Sequence, residues 1–568
     1  MFVDARRLAS GERIETDVCI VGAGAAGITV AREFVNTPVR VAVLESGGLT
    51  FDAETQSLYE GQLAGVPYFP LTTARVRFFG GTTNHWAGFC HPFDEQDFEP
   101  RAWVPYSGWP IRKAELEPYY ERASRIVHLE STEFGIEYWG ERTTVAPLPL
   151  NGRVVTRPAQ IVPKSLRNFG ATYRDELGGA RNVVTYLHAN ATEIETDESG
   201  ASVSRIRVAT LEGHEFSVSA RSFVLAVGGI ENPRLLLAST RRHTRGLGNE
   251  HDVVGRFFLE HPRFRAATVV PADPELRVGF YVPHRARATE IQGYLALSDE
   301  LKRAEELVDV QIRIEPDYRD SFARALESDD VDSLEALEAA ARGREPLDDF
   351  GRHVSRIASD VMTWRRFAVP GSPLPVPYPE VVSTLARSGR VDRVSLLPAL
   401  LGDIAGFGYA KISGSAPLDS LGLTTRMESA PNPDSRVTLV RERDALGMRR
   451  VQLDWRLSEI DKRSAVRAVE IVGAELGRTG LGRLRLDVSE RERGWPDDLT
   501  GGWHHMGTTR MSHDPKRGVV DRNCRVHGIS NLFVAGSSVF PTAGSGTPTL
   551  TLVALALRLA DHLKRRFP

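Results

Sequence analysis

The sequence predicts an α/β protein, α+β when the whole chain is considered. An apolar strand at 18–21 runs directly into a glycine-rich turn and a helix, and a second apolar strand follows at 39–45. The segment 223–237 repeats the order of strand, glycine turn and helix, whereas 436–455 reads as strand, turn and strand. The chain therefore combines strand–helix units with antiparallel hairpins.

Length and composition limit the classes of protein to consider. The 568 residues exceed one simple core and predict two or more cooperating domains. The hydrophobic content of 41% is ordinary for a globular protein, and a net charge of −3 does not attract nucleic acid or an anionic membrane. The start of the chain has no export signal, charges interrupt the longest apolar runs, and the three cysteines lack metal-ligand spacing. We therefore expect a cytoplasmic protein with reduced thiols and no metal.

The first glycine-rich turn has the arrangement that binds a dinucleotide. Gly22 allows the tight turn, Gly24 lets the backbone approach a pyrophosphate, and Gly27 lets the helix pack on the strand. The helix N-terminus offers N–H groups to phosphate. Glu45 ends the next strand, where a carboxylate accepts hydrogen bonds from ribose hydroxyls and repels a 2′-phosphate. The alternative for Glu45 is a simple turn cap, and the turn by itself fits NAD enzymes and flavoproteins equally.

Two further blocks combine glycine with chemically active side chains. The loop 79–88, FGGTTNHWAG, carries an adjacent histidine and tryptophan. Far along the chain, 501–511 reads GGWHHMGTTRM, and 531–541 is a short buried strand that opens into a glycine–serine turn. A strongly apolar helix follows, with Thr547 expected at its N-cap and Pro548 at its first position.

Together these blocks resemble the glucose–methanol–choline family of flavin oxidoreductases. They follow the family order along nearly the whole chain, and 223–237 and 428–439 also look like family segments. The His-Trp pair makes the chain most similar to the branch of pyranose 2-oxidase and the bacterial sugar and sugar-acid dehydrogenases. The resemblance implies FAD as cofactor and oxidation of an alcohol, expected to be a sugar or glycoside hydroxyl, to a carbonyl with hydride transfer to flavin N5.

The resemblance also implies two intertwined domains. A Rossmann-like FAD-binding domain is expected in 1–264 and 491–568, and a substrate domain with a large, mostly antiparallel sheet in 265–490. Within the latter, 320–400 is acidic and helical before it becomes proline-rich. It is expected to be an insertion over the active site or at an oligomer contact, or equally a solvated surface excursion. In the first domain, 183–194 is expected to form one strand.

The resemblance assigns the catalytic base to His504. Alcohol oxidation needs a base that accepts the hydroxyl proton near neutral pH, and imidazole is best matched to that task. His505 would point to the other side of an extended segment and takes a supporting role. The family usually has Asn or His where this chain has Thr547. Its hydroxyl either hydrogen-bonds the substrate oxygen or only caps the helix.

The remaining site residues are expected around the FAD. Gly80 and Gly81 let backbone lie against the cofactor, and Thr83 and Asn84 donate hydrogen bonds to it. His85 lies where some relatives link imidazole to the flavin 8-methyl carbon, and a non-covalent contact is the favoured alternative. The resemblance also assigns Trp86 and Ala87 beside the flavin (Trp86 alternatively in the core), Ala191 against adenine, Gly536 and Ser537 in the glycine–serine turn, and Pro548 and Thr549 at the N-terminus of a helix aimed at the flavin.

Two other classes of function stay open at this point. The departure at Thr547 leaves room for a redox-neutral lyase that keeps FAD as a structural group. A non-catalytic FAD-binding or escort protein is the third class, although it would not need a base such as His504. The electron acceptor is open among oxygen, a quinone and a partner protein, and neither nucleic acid nor a membrane is expected as a partner.

Overall fold

The protein folds into three β-sheets with helices packed around them, in a computed structural model that describes residues 1–318, 418–489 and 494–567. The predicted insertion at 320–400 lies outside the described residues. Within the described ranges, no helix has the length and apolarity needed to cross a membrane. The α-helices of these ranges are α1 (Ala25–Arg32), α2 (Ala53–Ser57), α3 (Glu95–Phe98), α4 (Glu117–Ile126), α5 (Ile136–Gly140), α6 (Phe169–Thr172), α7 (Arg174–Gly179), α8 (Gly228–Ala238), α9 (Asp299–Ala304), α10 (Glu459–Arg478) and α11 (Thr549–Lys564).

The first sheet is the Rossmann-like part of the fold. Its strands are β1 (Phe2–Asp4), β2 (Arg13–Val21), β3 (Val41–Leu44), β7 (Val183–Leu187), β8 (Asn190–Thr196), β9 (Val203–Ala209), β10 (Glu215–Leu225) and β19 (Leu532–Val534). The order is β1-β7-β3-β2-β10-β9-β8, with β19 parallel to β10. Strands β1, β7, β3, β2 and β10 are parallel neighbours, so their carboxyl ends share one edge. Ligands bind at this edge in open α/β sheets.

The segment 183–194 forms two strands, so the prediction of one continuous strand is wrong. The chain turns at His188, which adopts the left-handed conformation with φ of 59°. After this turn His188 N–H donates to Gly47 O (3.0 Å) and Ala189 N–H donates to Glu45 O (2.8 Å). The turn therefore brings the start of β8 beside the end of β3 instead of continuing along the sheet.

The second sheet is the large antiparallel one that the family resemblance implies. Its strands are β5 (Phe89–Cys90), β6 (Val154–Ile161), β11 (Arg263–Pro271), β12 (His284–Ala286), β13 (Thr289–Leu297), β14 (Val310–Tyr318), β15 (Leu418–Met427) and β18 (Gly482–Leu486), in the order β18-β11-β15-β14-β13-β6-β5 with β12 beside β13. Every pairing among them is antiparallel. Apolar residues of β14 and β15 pack with α10 on one face. Since β5 and β6 belong to this sheet, the first 264 residues contribute to both sheets.

A small third sheet contains the hairpin predicted at 436–455. Strands β16 (Arg436–Arg443) and β17 (Arg449–Trp455) are antiparallel, and β4 (Gly61–Gly65) lies parallel to β17. The turn is confirmed, because Gly447 N–H donates to Asp444 O at 3.0 Å. The apolar face of this sheet packs on Ile230 of α8.

Buried charges connect segments around the second sheet. Arg101, in the loop after α3, forms a two-pronged ion pair with Glu428 just beyond β15, with Nη1 and Oε2 2.7 Å apart. Their side chains are 3% and 0% exposed. Lys302 of α9 pairs with Asp309 at 2.9 Å, and Ser545 donates its hydroxyl proton to the same carboxylate. Each of these four charges has an opposite partner, as the cost of removing ions from water requires.

Loss of one member of the Arg101–Glu428 pair should destabilise the fold. Replacing Arg101 by Met leaves Glu428 buried without its cation, which is expected to cost about 3–5 kcal/mol in the free energy of unfolding, measured by urea denaturation. Met at both positions should recover part of that loss. The control is Arg303→Met, which breaks the solvent-exposed pair with Glu99 and should cost at most about 1 kcal/mol. Equal losses for the buried and exposed pairs would contradict this account.

Candidate active site

The turn between β2 and α1 has the mechanical design predicted for the first glycine motif. Gly22 has φ of 98°, and a Cβ there would lie 2.7 Å from the carbonyl oxygen of Ala226. A Cβ on Gly27 would lie 1.9 Å from Gly22 O, so only glycine lets the helix approach the strand this closely. Gly24 is the N-cap of α1. These contacts confirm the predicted roles of Gly22 and Gly27 in the turn and in packing.

The FGGTTNHWAG loop docks directly on this first turn. Gly80 N–H donates to Ala23 O at 2.9 Å. A Cβ on Gly81 would lie 2.9 Å from the Cα of Gly24, so the two backbones are in contact. Gly80 and Gly81 have φ of 98° and 53°, a region that favours glycine. The two glycine blocks, separated by more than fifty residues in sequence, form one surface of bare backbone.

The glycine–serine turn after β19 completes this surface. A Cβ on Gly536 would lie 3.9 Å from the Cβ of Ala26, in the first turn of α1. A Cβ on Gly24 would meet nothing closer than Gly81, at 3.9 Å. Side-chain-free backbone from three parts of the chain thus borders the N-terminus of α1, whose N–H groups and partial positive charge suit a pyrophosphate. The donor set fits a dinucleotide.

Glu45 is buried at the end of β3 beside these turns. Its Oε2 accepts from Ala23 N–H and its Oε1 from Gly47 N–H, each at 2.9 Å. Burial raises the pKa of Glu45, and the two N–H groups oppose that rise. The bond from Gly47 shows that Glu45 does cap the following turn. Oε1 also accepts from the Ser46 hydroxyl at 3.4 Å, so Oε2 keeps the further lone pair with which the carboxylate can accept from a ribose hydroxyl. Half-buried Ala191 lies close by, two residues beyond the Ala189–Glu45 bond.

Thr83 and Asn84, predicted as donors to the cofactor, direct their side-chain O–H and N–H groups to backbone carbonyls of their own loop. Thr83 Oγ1 donates to Gly80 O at 2.6 Å and accepts from Phe169 N–H at 3.1 Å. Asn84 Nδ2 donates to the carbonyl oxygens of Phe79 (3.0 Å) and Gly81 (2.8 Å). The donor hydrogens of both side chains are therefore used within the loop. They stabilise the shape that exposes its glycines, a role that the sequence alone did not distinguish.

The rest of the loop is fixed at Trp86. Its indole N–H donates to the carbonyl oxygen of Arg167 at 2.7 Å, and its ring packs against the core of the first sheet. The core placement considered for Trp86 therefore holds in part. His85 and Ala87 are half-buried on either side. Burial lowers the pKa of His85 to about 4, so its imidazole is neutral at neutral pH.

Two arginines fix the segment that leads into this loop. The guanidinium carbons of Arg75 and Arg77 lie 4.0 and 4.7 Å from the ring centroid of Tyr59. Both pair with Glu231 of α8, at 3.0 and 3.5 Å. Glu231 is buried, but the arginines Arg234, Arg75 and Arg77 outweigh desolvation and lower its pKa to about 2. This cluster anchors the approach to the loop against α8.

Backbone pairing sets the position of His504, the histidine predicted for catalysis. Leu259 and Met506 exchange both backbone hydrogen bonds, each at 3.0 Å, as an antiparallel pair. This register places His261, two residues after Leu259, opposite His504, two residues before Met506, and both side chains lie on the same face of the pairing. Their rings meet with Nδ1 to Nδ1 at 2.8 Å. Among the described residues, Nε2 of His504 has no hydrogen-bond partner.

Glu260 and His505 occupy the opposite face of the same pairing. The Glu260 carboxylate accepts from the backbone N–H of His504 at 2.9 and 3.0 Å and of His261 at 2.7 Å. Tyr68 donates its hydroxyl proton to Glu260, and the Tyr68 oxygen lies 2.9 Å from His505 Nε2. Burial raises the pKa of Glu260 to about 7, although these donors oppose the rise. His505 thus has the supporting role predicted for it, directed away from His504.

The predicted cap at Thr547 is wrong. Helix α11 begins at Thr549 with Pro548 as its N-cap, one residue later than expected, and without a side-chain cap. Thr547 Oγ1 donates to Phe89 O at 2.6 Å. Its one proton is therefore used by β5, and only its lone pairs are left for a substrate. The N-terminus of α11 is buried around Pro548, with Thr549 half-buried.

Sequence reasoning missed His261 and Glu260. The signal was present as two titratable residues between the apolar run 257–259 and Pro262. Their position opposite the catalytic segment depends on a pairing between residues far apart in sequence, which no local pattern reveals. The same segment is joined to the glycine–serine turn, since Ser537 Oγ donates to His505 O at 2.7 Å. The histidines and the bare glycine backbone thus belong to one site.

Comparison with known proteins defines the class of this protein. A family model described as FAD dependent oxidoreductase matches residues 17–280, and one described as GMC oxidoreductase matches residues 431–556. The protein is an FAD-dependent oxidoreductase that oxidises a hydroxyl group to a carbonyl. More specifically, it belongs to the glucose–methanol–choline (GMC) oxidoreductases. The family resemblance of the three sequence blocks is confirmed.

Two relatives extend over the whole protein. The 2-methyl-1,2-propanediol dehydrogenase of Mycolicibacterium austroafricanum is 23% identical and covers 97% of this chain and 96% of its own. The fructose dehydrogenase large subunit of Gluconobacter japonicus is 23% identical and covers 98% of both. Among solved structures, pyridoxine 4-oxidase from Mesorbium loti has a TM-score of 0.52 and 16% identity, covering 97% of this chain and 99% of that chain. This last likeness shows a shared fold.

A side chain at Gly81 should prevent cofactor binding. In Gly81→Ala the new Cβ would press on the Cα of Gly24, so the two glycine turns must separate. The expected result is purified protein with a much lower ratio of flavin to protein absorbance. The control is Gly213→Ala, also at positive φ but with open space around the Cβ. It should lose about 1–2 kcal/mol of stability and keep its flavin. Equal flavin loss in both variants would refute the docking argument.

Proposed function

We propose that this protein oxidises a secondary or primary hydroxyl of a sugar or glycoside, with His504 as the base. The observation that carries the proposal is the position of His504, whose Nε2 has no hydrogen-bond partner in the part of the chain that the structure describes, while its Nδ1 is held by His261. This open nitrogen lies on the segment that Ser537 ties to the glycine surface. The fructose dehydrogenase relative supports a sugar as substrate.

A polar face of the second sheet supports a polyhydroxylated substrate. Arg426 of β15 is paired with Arg263 of β11 on one side and with Gln311 of β14 on the other, so these side chains share a face. Arg426 donates to the Gln311 side-chain oxygen and lies 5.1 Å from the ring centroid of Tyr294. Thr424, two residues along β15, continues the face. Sugars present many hydroxyls, and these side chains supply both donors and acceptors for them.

The same face is close to the histidines. After burial, the positive charge of Arg426 is among the causes that lower the pKa of both His261 and His504. A cation near the base opposes formation of an imidazolium and so keeps His504 in its neutral, proton-accepting form. We infer that Arg426 also contacts hydroxyls of the bound substrate, because its Nε has no hydrogen-bond partner within the described ranges.

The residues proposed to hold FAD are those that border the α1 N-terminus. Gly22, Gly24 and Gly27 shape the pyrophosphate turn, and Glu45 accepts from the ribose. The others proposed for this role are Gly80, Gly81, Thr83, Asn84, His85, Trp86, Ala87, Ala191, Gly536, Ser537, Pro548 and Thr549, with Thr83 and Asn84 acting through the shape of their loop. When bound, FAD supplies the acceptor for the hydride that leaves the carbinol carbon.

The protein's own part in the reaction is the handling of one proton. His504 accepts the substrate hydroxyl proton at Nε2, and the neutral imidazole is ready for this because burial, His261 and Arg426 hold its pKa well below the usual histidine value. Thr547 can accept a hydrogen bond from a substrate or water but has no proton to donate. Four further statements stay predictions. They are the placement beside pyranose 2-oxidase, the domain limits, the cytoplasmic location and the choice among oxygen, a quinone and a partner protein as electron acceptor.

Removal of the proposed base should slow the reaction without removing the cofactor. His504→Ala is expected to reduce the rate of anaerobic flavin reduction by a sugar roughly 10²–10⁴-fold, the usual worth of a positioned base. Because the His504 pKa is lowered, the wild-type rate should stay constant as pH falls from neutrality to about 6.5. Stopped-flow spectroscopy with a panel of sugars and glycosides measures both. The control is His513→Ala, at an exposed site. An unchanged rate in His504→Ala would exclude His504 as the base.

We propose that His85 contacts the flavin without a covalent bond. Its neutral, half-buried imidazole stands in the loop that docks on the first turn. Precipitation of the purified protein with acid should then leave the yellow flavin in the supernatant. Flavin retained in the precipitate of the wild type, and released in His85→Ala, would show instead that the bond exists.

A further inference from the structure

The geometry of the contact between the His261 and His504 rings limits which of their nitrogens can carry a proton. The two Nδ1 atoms are 2.8 Å apart, so they form a hydrogen bond between the rings. Burial lowers the pKa of His261 to about 3 and the pKa of His504 well below the ordinary value. Both imidazoles are therefore neutral near pH 7, and each carries a single N–H. One ring must donate from Nδ1 and the other must accept at Nδ1.

The surroundings of His261 decide between the two arrangements. Its Nε2 is buried and has no hydrogen-bond partner among the described residues. Against the effect of burial, the backbone of Ala543 and Gly544 acts to raise the His261 pKa, as carbonyl oxygens facing an imidazole N–H do. Since Nδ1 is turned towards His504, Nε2 is the ring nitrogen left on the side of this backbone, and a lone pair there would be repelled by carbonyl oxygens. The proton of His261 therefore belongs on Nε2, and its Nδ1 is the acceptor.

We infer that His261 is a positioning residue that fixes His504 in the tautomer protonated at Nδ1, leaving the lone pair of Nε2 as the proton acceptor. The inference rests on the proposed function, because it assigns the reacting nitrogen of the proposed base. The opposite arrangement would place a proton on Nε2 of His504 and leave nothing there to accept the hydroxyl proton. His261 acts through His504 and does not itself take part in proton abstraction.

The Glu260 carboxylate makes this arrangement geometrically stable. The backbone pairing is interrupted between the Leu259–Met506 pair and the Arg263–Thr500 pair, and in this gap Glu260 accepts the N–H groups of both His261 and His504. One buried side chain thus holds the two backbones from which the rings extend. At Gly502, a Cβ would lie only 3.1 Å from His504 Nδ1, so the glycine leaves the ring free to meet His261.

The tautomer can be observed directly in the holoenzyme. In ¹⁵N spectra of protein labelled at histidine, His504 resonances are assigned by their loss in His504→Gln, and the two ring nitrogens differ according to which carries the proton. We expect Nδ1–H and a bare Nε2. A spectrum with the proton on Nε2 of His504 would overturn the inference. This measurement needs no substrate, so it tests His261 even if no sugar or glycoside reduces the flavin, an outcome that would instead contradict the proposed function.

Variants of His261 provide the kinetic test. His261→Leu removes the acceptor and should lower kcat for flavin reduction roughly 10²-fold with little change in KM, since the base is held less often in its reactive tautomer. His261→Asn offers a carbonyl oxygen near the position of Nδ1 and should recover most of that loss. Exposed His251→Leu is the control. Flavin content and Tm confirm that each variant is folded. Wild-type kcat in His261→Leu, or no recovery in a folded His261→Asn, would overturn the inference.

Discussion

The backbone pairing of Leu259 with Met506 is the interaction on which the active site depends. Alternation along paired extended segments sends His261 and His504 to one side and Glu260 and His505 to the other. A shift of one residue would exchange the two faces and place Glu260 where the imidazole pair now lies. Since Leu259 leads into β11 and Met506 lies on the segment that Ser537 holds, the pairing also joins the second sheet to the glycine–serine turn that follows β19 of the first sheet.

Around the first turn of α1, close contacts between glycine backbones set the geometry, as the Leu259–Met506 pairing does for the histidines. The contact of Gly81 with Gly24 brings two loops closer than any side chain would permit. The loop holds this shape because Thr83 and Asn84 satisfy its carbonyls and Trp86 fixes its end. Polar side chains that look like ligand donors are therefore part of the scaffold, and the surface offered to the cofactor is largely main chain. Preorganisation of this kind lowers the entropy lost on binding.

Charged and polar side chains are buried in and around the site. Glu231, Glu428 and Asp309 are all desolvated, and each is balanced by a nearby arginine or lysine. Glu260 has hydrogen-bond donors in place of such a cation, which is why burial moves its pKa so far. The low polarity that makes ionisation of these carboxylates costly also keeps His261 and His504 neutral. The proposed base is thus kept in its neutral form by the same desolvation that the fold must compensate at the carboxylates.

The sequence by itself determined the fold class and the strand–turn–helix unit at Gly22–Gly27, because spacing of glycines and apolar residues is a local property of the chain. The family followed from the resemblance of three sequence blocks. It also indicated His504 and an opposite direction for His505. Only the tertiary structure decided that His261 meets His504, that Thr547 bonds to β5 instead of capping α11, and that β7 and β8 separate at His188. Each of these features depends on contacts between residues that are distant in sequence. Such contacts override the local conformational preference of the chain when the burial they produce stabilises the fold.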